Sequence, residues 1–242
     1  MTINQIVKIC RVAGAIQIVL LLACTQPPPE TDMVVNPNAN VSKYTFLSLG
    51  DSYTIGESVS EADRWSVQLA GMLRKEGTDL ANPDIIARTG WTTSQLQNAI
   101  KASGNQKTYS LVSLLIGVNN QYQGQSQERY RTEFQELLQT ATKFAGGKAD
   151  HVFVLSIPDW GASPYGVHSE RTKVTREIDQ FNAIANDECK KVGIVYIDIT
   201  PLTRSANGDD TQFASDGLHY SGKHMSGWAE KAMPIVKEIL KK

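Results

Sequence analysis

Five short apolar runs, each followed by a stretch with helical spacing, recur from residue 43 to the C-terminus. This alternation narrows the available folds more than any other feature. The runs are residues 44–49 (YTFLSL), 84–87 (DIIA), 110–116 (SLVSLLI), 151–157 (HVFVLSI) and 194–199 (IVYIDI). They are short and rich in Val, Ile and Leu, as strands buried on both faces should be. Trp65, Leu69, Met72 and Leu73 predict a helix ending near Gly77, and Leu96 and Ile100 a second, opened by the capping box Thr92-x-x-Gln95. Phe134, Leu137, Leu138 and Ala141 mark a third helix, residues 174–192 a fourth, and residues 225–240, capped by Ser221, the last. Such an order predicts an α/β domain with a parallel sheet covered by helices on both faces. The 242 residues suffice for one such domain with a full core, with no internal repeat and no second large domain.

The first forty residues follow different rules. Lys8 and Arg11 precede an eleven-residue apolar run, residues 12–22 (VAGAIQIVLLL), and no acidic residue occurs before Glu30. A positive flank, a short apolar run and a small residue form a secretory signal pattern, and the run is too short to span a bilayer comfortably. Its end, Leu21-Leu22-Ala23-Cys24, resembles the lipobox of bacterial lipoproteins. That resemblance implies cleavage before Cys24 and acylation of its sulfur and amine. Residues 1–23 are then a signal peptide, and residues 24–42 a lipid-attached tether before a domain at 43–242. The expected location is the bacterial cell envelope, with the protein membrane-anchored through Cys24. The alternative is a plain signal peptide with an incidental Cys24, giving a secreted or periplasmic protein. Residues 25–42 carry four prolines and three asparagines without periodicity. An extended segment of this length reaches on the order of 60 Å.

Charge and cysteine content exclude several functions. The net charge is −1, with no block of like charge; removing Lys8 and Arg11 leaves 22 basic against 25 acidic residues. No basic stripe is present, so no nucleic-acid partner is expected. Of Cys10, Cys24 and Cys189, only Cys189 would remain free after processing, which leaves no intramolecular disulfide. Cys189 lies on the stripe Val174, Ile178, Phe181, Ala185, Cys189 and Val192, and so reads as a small core residue. No His/Cys/Asp cluster has metal-ligand spacing, and neither metal nor cofactor is expected. A monomer is expected.

In parallel α/β sheets, ligands bind outside the carboxyl ends of the strands. Gly50-Asp51-Ser52 follows the first run, Gly90 the second, Gly117-Val118-Asn119-Asn120 the third and Pro158-Asp159-Trp160 the fourth. Asp216 and His219 come after the fifth, so all five segments should meet on one rim. A serine at a strand-to-helix turn sits at the positive end of the helix dipole, where its own N–H can face an oxyanion. It still needs a base. His151 begins a strand, His168 lies in a polar loop, and His224 falls inside the last helix as a surface or packing residue. His219 alone falls on the rim. In a non-helical loop, Asp216 three residues earlier can accept from imidazole Nδ1 and leave Nε2 free to take a proton. Ser52 would then be the nucleophile, His219 the base and Asp216 its orienter. Taken singly, Ser52 could be only a helix cap, and Asp-x-x-His a chance pair.

LSLGDSYTIGE, RTGWT, IGVNNQY and SDGLHYSG resemble, in order, the four blocks of the SGNH/GDSL hydrolases. The resemblance extends from about residue 43 to the C-terminus. It implies a three-layer α/β/α sandwich of flavodoxin-like arrangement, with a parallel five-stranded sheet. It also implies esterase or lipase activity without a metal. The same resemblance makes Ser52 the nucleophile and an oxyanion donor through its N–H, with Gly90 N–H and the Asn119 side chain as second and third donors. His219 is the base and Asp216 its partner. The third block usually reads Gly-x-Asn-Asp; Asn120 stands here in place of the Asp, whose task is either dispensable or performed by the amide. Tyr122, Trp160 and Tyr165 lie in rim loops and would either shape a substrate pocket or pack the loops. Expected substrates are small-molecule, lipid or glycan esters. Two other readings compete: an envelope lipoprotein that binds glycan or lipid ligands without turnover, and a flavodoxin-like cofactor module. TIGES after Ser52 is a poor phosphate loop, which disfavours the module.

Overall fold

The computed structural model describes residues 42–242; the expected signal peptide, Cys24 and nearly all of the tether lie outside the described residues. Five parallel strands form the sheet: β1 (Phe46–Gly50), β2 (Asp84–Ala87), β3 (Leu111–Leu115), β4 (Val152–Leu155) and β5 (Val195–Ile197). Each coincides with a predicted run: β2 matches it fully, β3, β4 and β5 are shorter by one or two residues at each end, and β1 starts two residues later and runs one residue further, to Gly50. Tyr44, expected in the first strand, makes only an isolated bridge to Leu80. Every residue of β1, β3 and β4 is buried, whereas β2 and β5, at the edges, are partly exposed. This is the pattern that covered parallel sheets impose.

The long helices are α2 (Trp65–Lys75), α3 (Thr93–Ser103), α5 (Gln127–Phe144), α6 (Arg171–Val192) and α8 (Gly222–Ile239). Short helices α1 (Ser52–Ile55), α4 (Val118–Tyr122) and α7 (Thr200–Ser205) were not legible from periodicity, because one turn carries no repeat. α2 packs against α8 over one face of the sheet, while α3, α5 and α6 pack side by side over the other. The three-layer α/β/α arrangement is therefore as expected. The capping box of α3 forms, with Thr92 N–H donating to Gln95 Oε1 at 2.9 Å, and Ser221 Oγ accepts from His224 N–H at the start of α8. On α6, Val174, Ile178, Phe181, Ala185 and Cys189 are buried, but Val192, the last residue before the Gly193 cap, is exposed. Burial pushes the Cys189 thiol up to about 12, with the Glu188 charge adding to it, so it stays an inert core thiol.

Strand order is β2-β1-β3-β4-β5. The chain therefore leaves β1 toward one edge and returns past it to β3, which opens a crevice beyond the carboxyl ends of these two strands. Ser52 follows β1 and Asn119 follows β3, so the topology itself sets these side chains beside one crevice.

Candidate active site

Gly50 ends β1 because nothing larger fits. A Cβ there would come within 2.1 Å of Thr54 Oγ1 and 2.5 Å of the Leu115 carbonyl. Its role is close approach, and it does not supply a left-handed turn. Asp51 caps α1: its Oδ1 accepts from Tyr53 N–H at 3.0 Å, which sets Ser52 at the first position of the helix. Asp51 is fully buried and its Oδ2 finds no partner among the described residues. Burial, outweighing the backbone bonds, pushes this carboxyl up to about 7.

The second and third blocks are bound to each other. Asn119 Nδ2 donates one hydrogen to the Trp91 carbonyl at 3.0 Å, which leaves its second hydrogen for a ligand. Asn120 is wholly buried and does not reach the cavity. Its Oδ1 accepts from Thr93 N–H at 3.1 Å, and its Nδ2 donates to Thr93 Oγ1 at 2.7 Å and Gln125 Oε1 at 2.9 Å. Asn120 thus ties the start of α3 to the loop after α4, and an amide serves where a carboxylate is usual. Gly90 has φ +82° with open space where a Cβ would lie, so its glycine is required by backbone conformation.

The fourth block is a closed loop. Phe213 and Tyr220 form an antiparallel bridge, and Ala214 N–H donates to the His219 carbonyl at 2.7 Å. Within it, Asp216 Oδ1 accepts from the N–H groups of Leu218 and His219, each at 2.9 Å, and Oδ2 faces His219 Nδ1 at 2.7 Å. A second donor, Ser58 Oγ, reaches the same Oδ2 at 2.6 Å. Burial would raise the Asp216 carboxyl, but these donors outweigh it and bring it down to about 2. Asp216 therefore remains anionic throughout the neutral range. The tyrosine ring of Tyr53 lies 5.2 Å from the His219 ring and backs it.

Ser52, Gly90, Asn119, Tyr122, Trp160 and His219 line one cavity of about 180 Å³, together with Thr89 and Leu218, which sequence reading did not single out. Among the described residues, neither Ser52 N–H nor Gly90 N–H has a hydrogen-bond partner, so both remain available to an anion. No hydrogen bond joins Ser52 Oγ to His219 among the described residues, a separation common before substrate tightens such a pair. Tyr165 does not line the cavity. It stands on its rim, where its hydroxyl meets that of Tyr122 at 3.0 Å. Trp160 supports both, its Nε1 donating to Gln121 Oε1 at 2.7 Å and its ring 5.3 Å from that of Tyr122. Larger hollows elsewhere, of about 370 and 640 Å³, bring together no comparable set of nucleophile, base and backbone donors.

His224 settles as a packing residue: it is buried, and its ring stacks on Tyr220 at 4.6 Å. His151 Nδ1 lies 2.8 Å from the Ser110 carbonyl at the opposite ends of the strands. Among the described residues, no group of three or more His, Cys, Asp or Glu side chains is placed to hold a metal ion, and no helix is long and apolar enough to cross a membrane.

Known proteins share this fold. The esterase EstA from Pseudoalteromonas sp., solved in a form inhibited by monoethylphosphonate, superposes with a TM-score of 0.63 over 82% of this chain and 100% of its own, at 16% identity. A lipase/acylhydrolase from Enterococcus faecalis gives 0.61 over 82% and 96%, at 19% identity. Axe2, an acetyl xylan esterase from Geobacillus stearothermophilus, gives 0.62 over 81% and 95%, at 14% identity. At such identities the likeness is one of fold. Among curated proteins, no sequence is significantly similar. The model of the GDSL-like lipase/acylhydrolase family matches residues 48–223, from within β1 to the start of α8. That span is well over half of the chain, and the chain belongs to this family of ester hydrolases.

Proposed function

We propose that the protein is a serine esterase that works through an acyl-enzyme on Ser52. Ser52 Oγ attacks the ester carbonyl while His219 Nε2 takes its proton, and Asp216 holds His219 Nδ1–H and stabilises the imidazolium. The tetrahedral oxyanion is received by Ser52 N–H, Gly90 N–H and Asn119 Nδ2. His219 returns the proton to the departing alkoxide, and water then repeats the sequence to release the acid. The observation that carries this reading is the convergence on one cavity of a histidine 2.7 Å from a carboxylate, a serine, and two unpartnered backbone donors.

A cavity of about 180 Å³ favours a short acyl group; pockets that enclose drug-sized ligands run to roughly 300–1,000 Å³. The substrates are then acetyl or short acyl esters of sugars, lipids or small molecules. Aryl esters from acetyl to palmitoyl, tested with wild type and Ser52→Ala, decide the matter. Turnover should be greatest for the shortest chains, and Ser52→Ala should lose at least about 10⁴-fold in kcat. Tight ester binding without turnover by the wild type would instead favour a binding lipoprotein. A fluorophosphonate probe should label Ser52 alone.

The same proposal includes a lipid anchor at Cys24, at the end of an apolar run and ahead of a proline-rich segment. Cells fed labelled palmitate should incorporate it into the wild type and not into Cys24→Ser. Equal labelling of both would remove the anchor and leave an exported, unanchored esterase.

A further inference from the structure

Ser58 is the only non-glycine residue among the described residues with a left-handed backbone, at φ +63°. That conformation crowds Cβ and is disfavoured for most L-residues. Ser58 lies just past α1, in the segment that carries Ser52, and its Oγ reaches Asp216, 158 residues away in sequence, at 2.6 Å. The oxygen it meets is Oδ2, which also serves His219 Nδ1. The two backbone donors of the loop both hold Oδ1. They fix that oxygen but leave Oδ2 to the His219 imidazole alone, and Ser58 adds a second hold on it from outside the loop.

We propose that Ser58 is a positioning residue: its hydroxyl braces the Asp216 carboxylate so that Oδ2 stays aligned with His219 Nδ1, and the left-handed backbone delivers that hydroxyl. The inference rests on the Ser52–His219–Asp216 reading above. The brace is joined to the nucleophile as well. Glu57 N–H, immediately before Ser58, donates to the Ser52 carbonyl at 3.0 Å, and Thr89 Oγ1 beside Gly90 donates to Glu57 Oε2. One short segment thus sets the serine at one end and steadies the acid at the other. A loop tether with no catalytic consequence would not need the hydroxyl on the oxygen that the imidazole uses.

Three variants test the brace: Ser58→Ala, Ser58→Gly and Ser58→Asn. Ala and Gly both remove the hydroxyl and should lower kcat about tenfold, with KM within about twofold. Gly also relieves the left-handed backbone, so its Tm should equal or exceed that of the wild type while its kcat falls. Asn tolerates this backbone and can donate its amide, and should recover part of the lost kcat. Wild-type kcat in Ser58→Gly overturns the proposal, as does a loss confined to KM. Ser52→Ala, run in parallel, separates the two claims. Activity surviving in Ser52→Ala overturns the serine reading itself; an inactive Ser52→Ala beside a fully active Ser58→Gly overturns the brace alone.

Discussion

The loop that leaves β1 and the loop that precedes α8 each place an aspartate beside a residue of the proposed catalytic set, Asp51 next to Ser52 and Asp216 near His219. Both aspartates cap their own loops by accepting backbone N–H groups on Oδ1. Burial is the largest influence on both carboxyls and raises both. The outcomes nevertheless diverge: Asp51 rises to about 7 and Asp216 falls to about 2. Asp51 is fully enclosed and its second oxygen has no donor, whereas Asp216, partly exposed, receives donors on both oxygens. The difference shows that complete burial with an unpartnered second oxygen raises an aspartate, whereas donors on both oxygens outweigh the lesser burial of a partly exposed one. Only Asp216 is equipped to stabilise an imidazolium.

The sharpest way to break this contrast is to remove each charge in turn. Asp216→Asn should lower kcat by about 10⁴-fold, roughly 5 kcal/mol of transition-state stabilisation, with the fold intact by circular dichroism. Asp51→Asn keeps an acceptor for Tyr53 N–H and should stay within about tenfold of wild type. If the two variants exchange these effects, the assignment of roles is wrong.

A second, smaller contrast lies within the adjacent pair Asn119 and Asn120. Asn119→Ala should lower kcat by about 10²–10³, roughly 2.7–4 kcal/mol, with KM nearly unchanged. Asn120→Ala strands the buried Thr93 N–H and removes the tie to the half-buried Gln125, and should lower unfolding stability by about 1–3 kcal/mol in urea titrations. Its kcat should fall less than that of Asn119→Ala.

A third contrast lies in the pH dependence of stability, and it sharpens the picture of Asp51. Its carboxyl in the fold titrates near 7, against 3.8 ordinarily, so the folded chain holds a proton that the unfolded chain releases. Its contribution is present below pH 3.8 and is lost as pH rises toward 7. His224 works oppositely. Burial lowers it from 6.5 to about 4, so its contribution is present above 6.5 and is lost as pH falls toward 4. Between pH 4 and 7, Tm of Asp51→Asn should therefore climb more than that of the wild type, and Tm of His224→Phe should climb less. Parallel curves for all three proteins would show that neither group is shifted in the fold.

All five strands and the apolar faces of the five long helices could be read from the chain, because burial on a strand or helix repeats with the backbone's own period. The carboxyl-end rule places Ser52, Gly90, Asn119 and His219 on one rim, and those residues do share a cavity. Asp216 and His219 were legible as a pair because their hydrogen bond spans only three residues.

What periodicity could not reveal are contacts made only after distant segments pack. Ser58 carries no local signal, and its partner lies 158 positions away. The constraint on Gly50 comes from Thr54 and Leu115. Asn120 stands where the third block usually has an aspartate, and only packing reveals it as a buried tie to Thr93. Tyr165 was grouped with the pocket, yet its contact is with the Tyr122 hydroxyl on the rim. Local spacing, which follows from the geometry of one helix or strand, determined the layers, the strand set and the candidate nucleophile, base and acid. The tertiary structure decided which donors meet which oxygens, because hydrogen bonds extend only about 3 Å and close pairing between remote segments exists only once the core has formed.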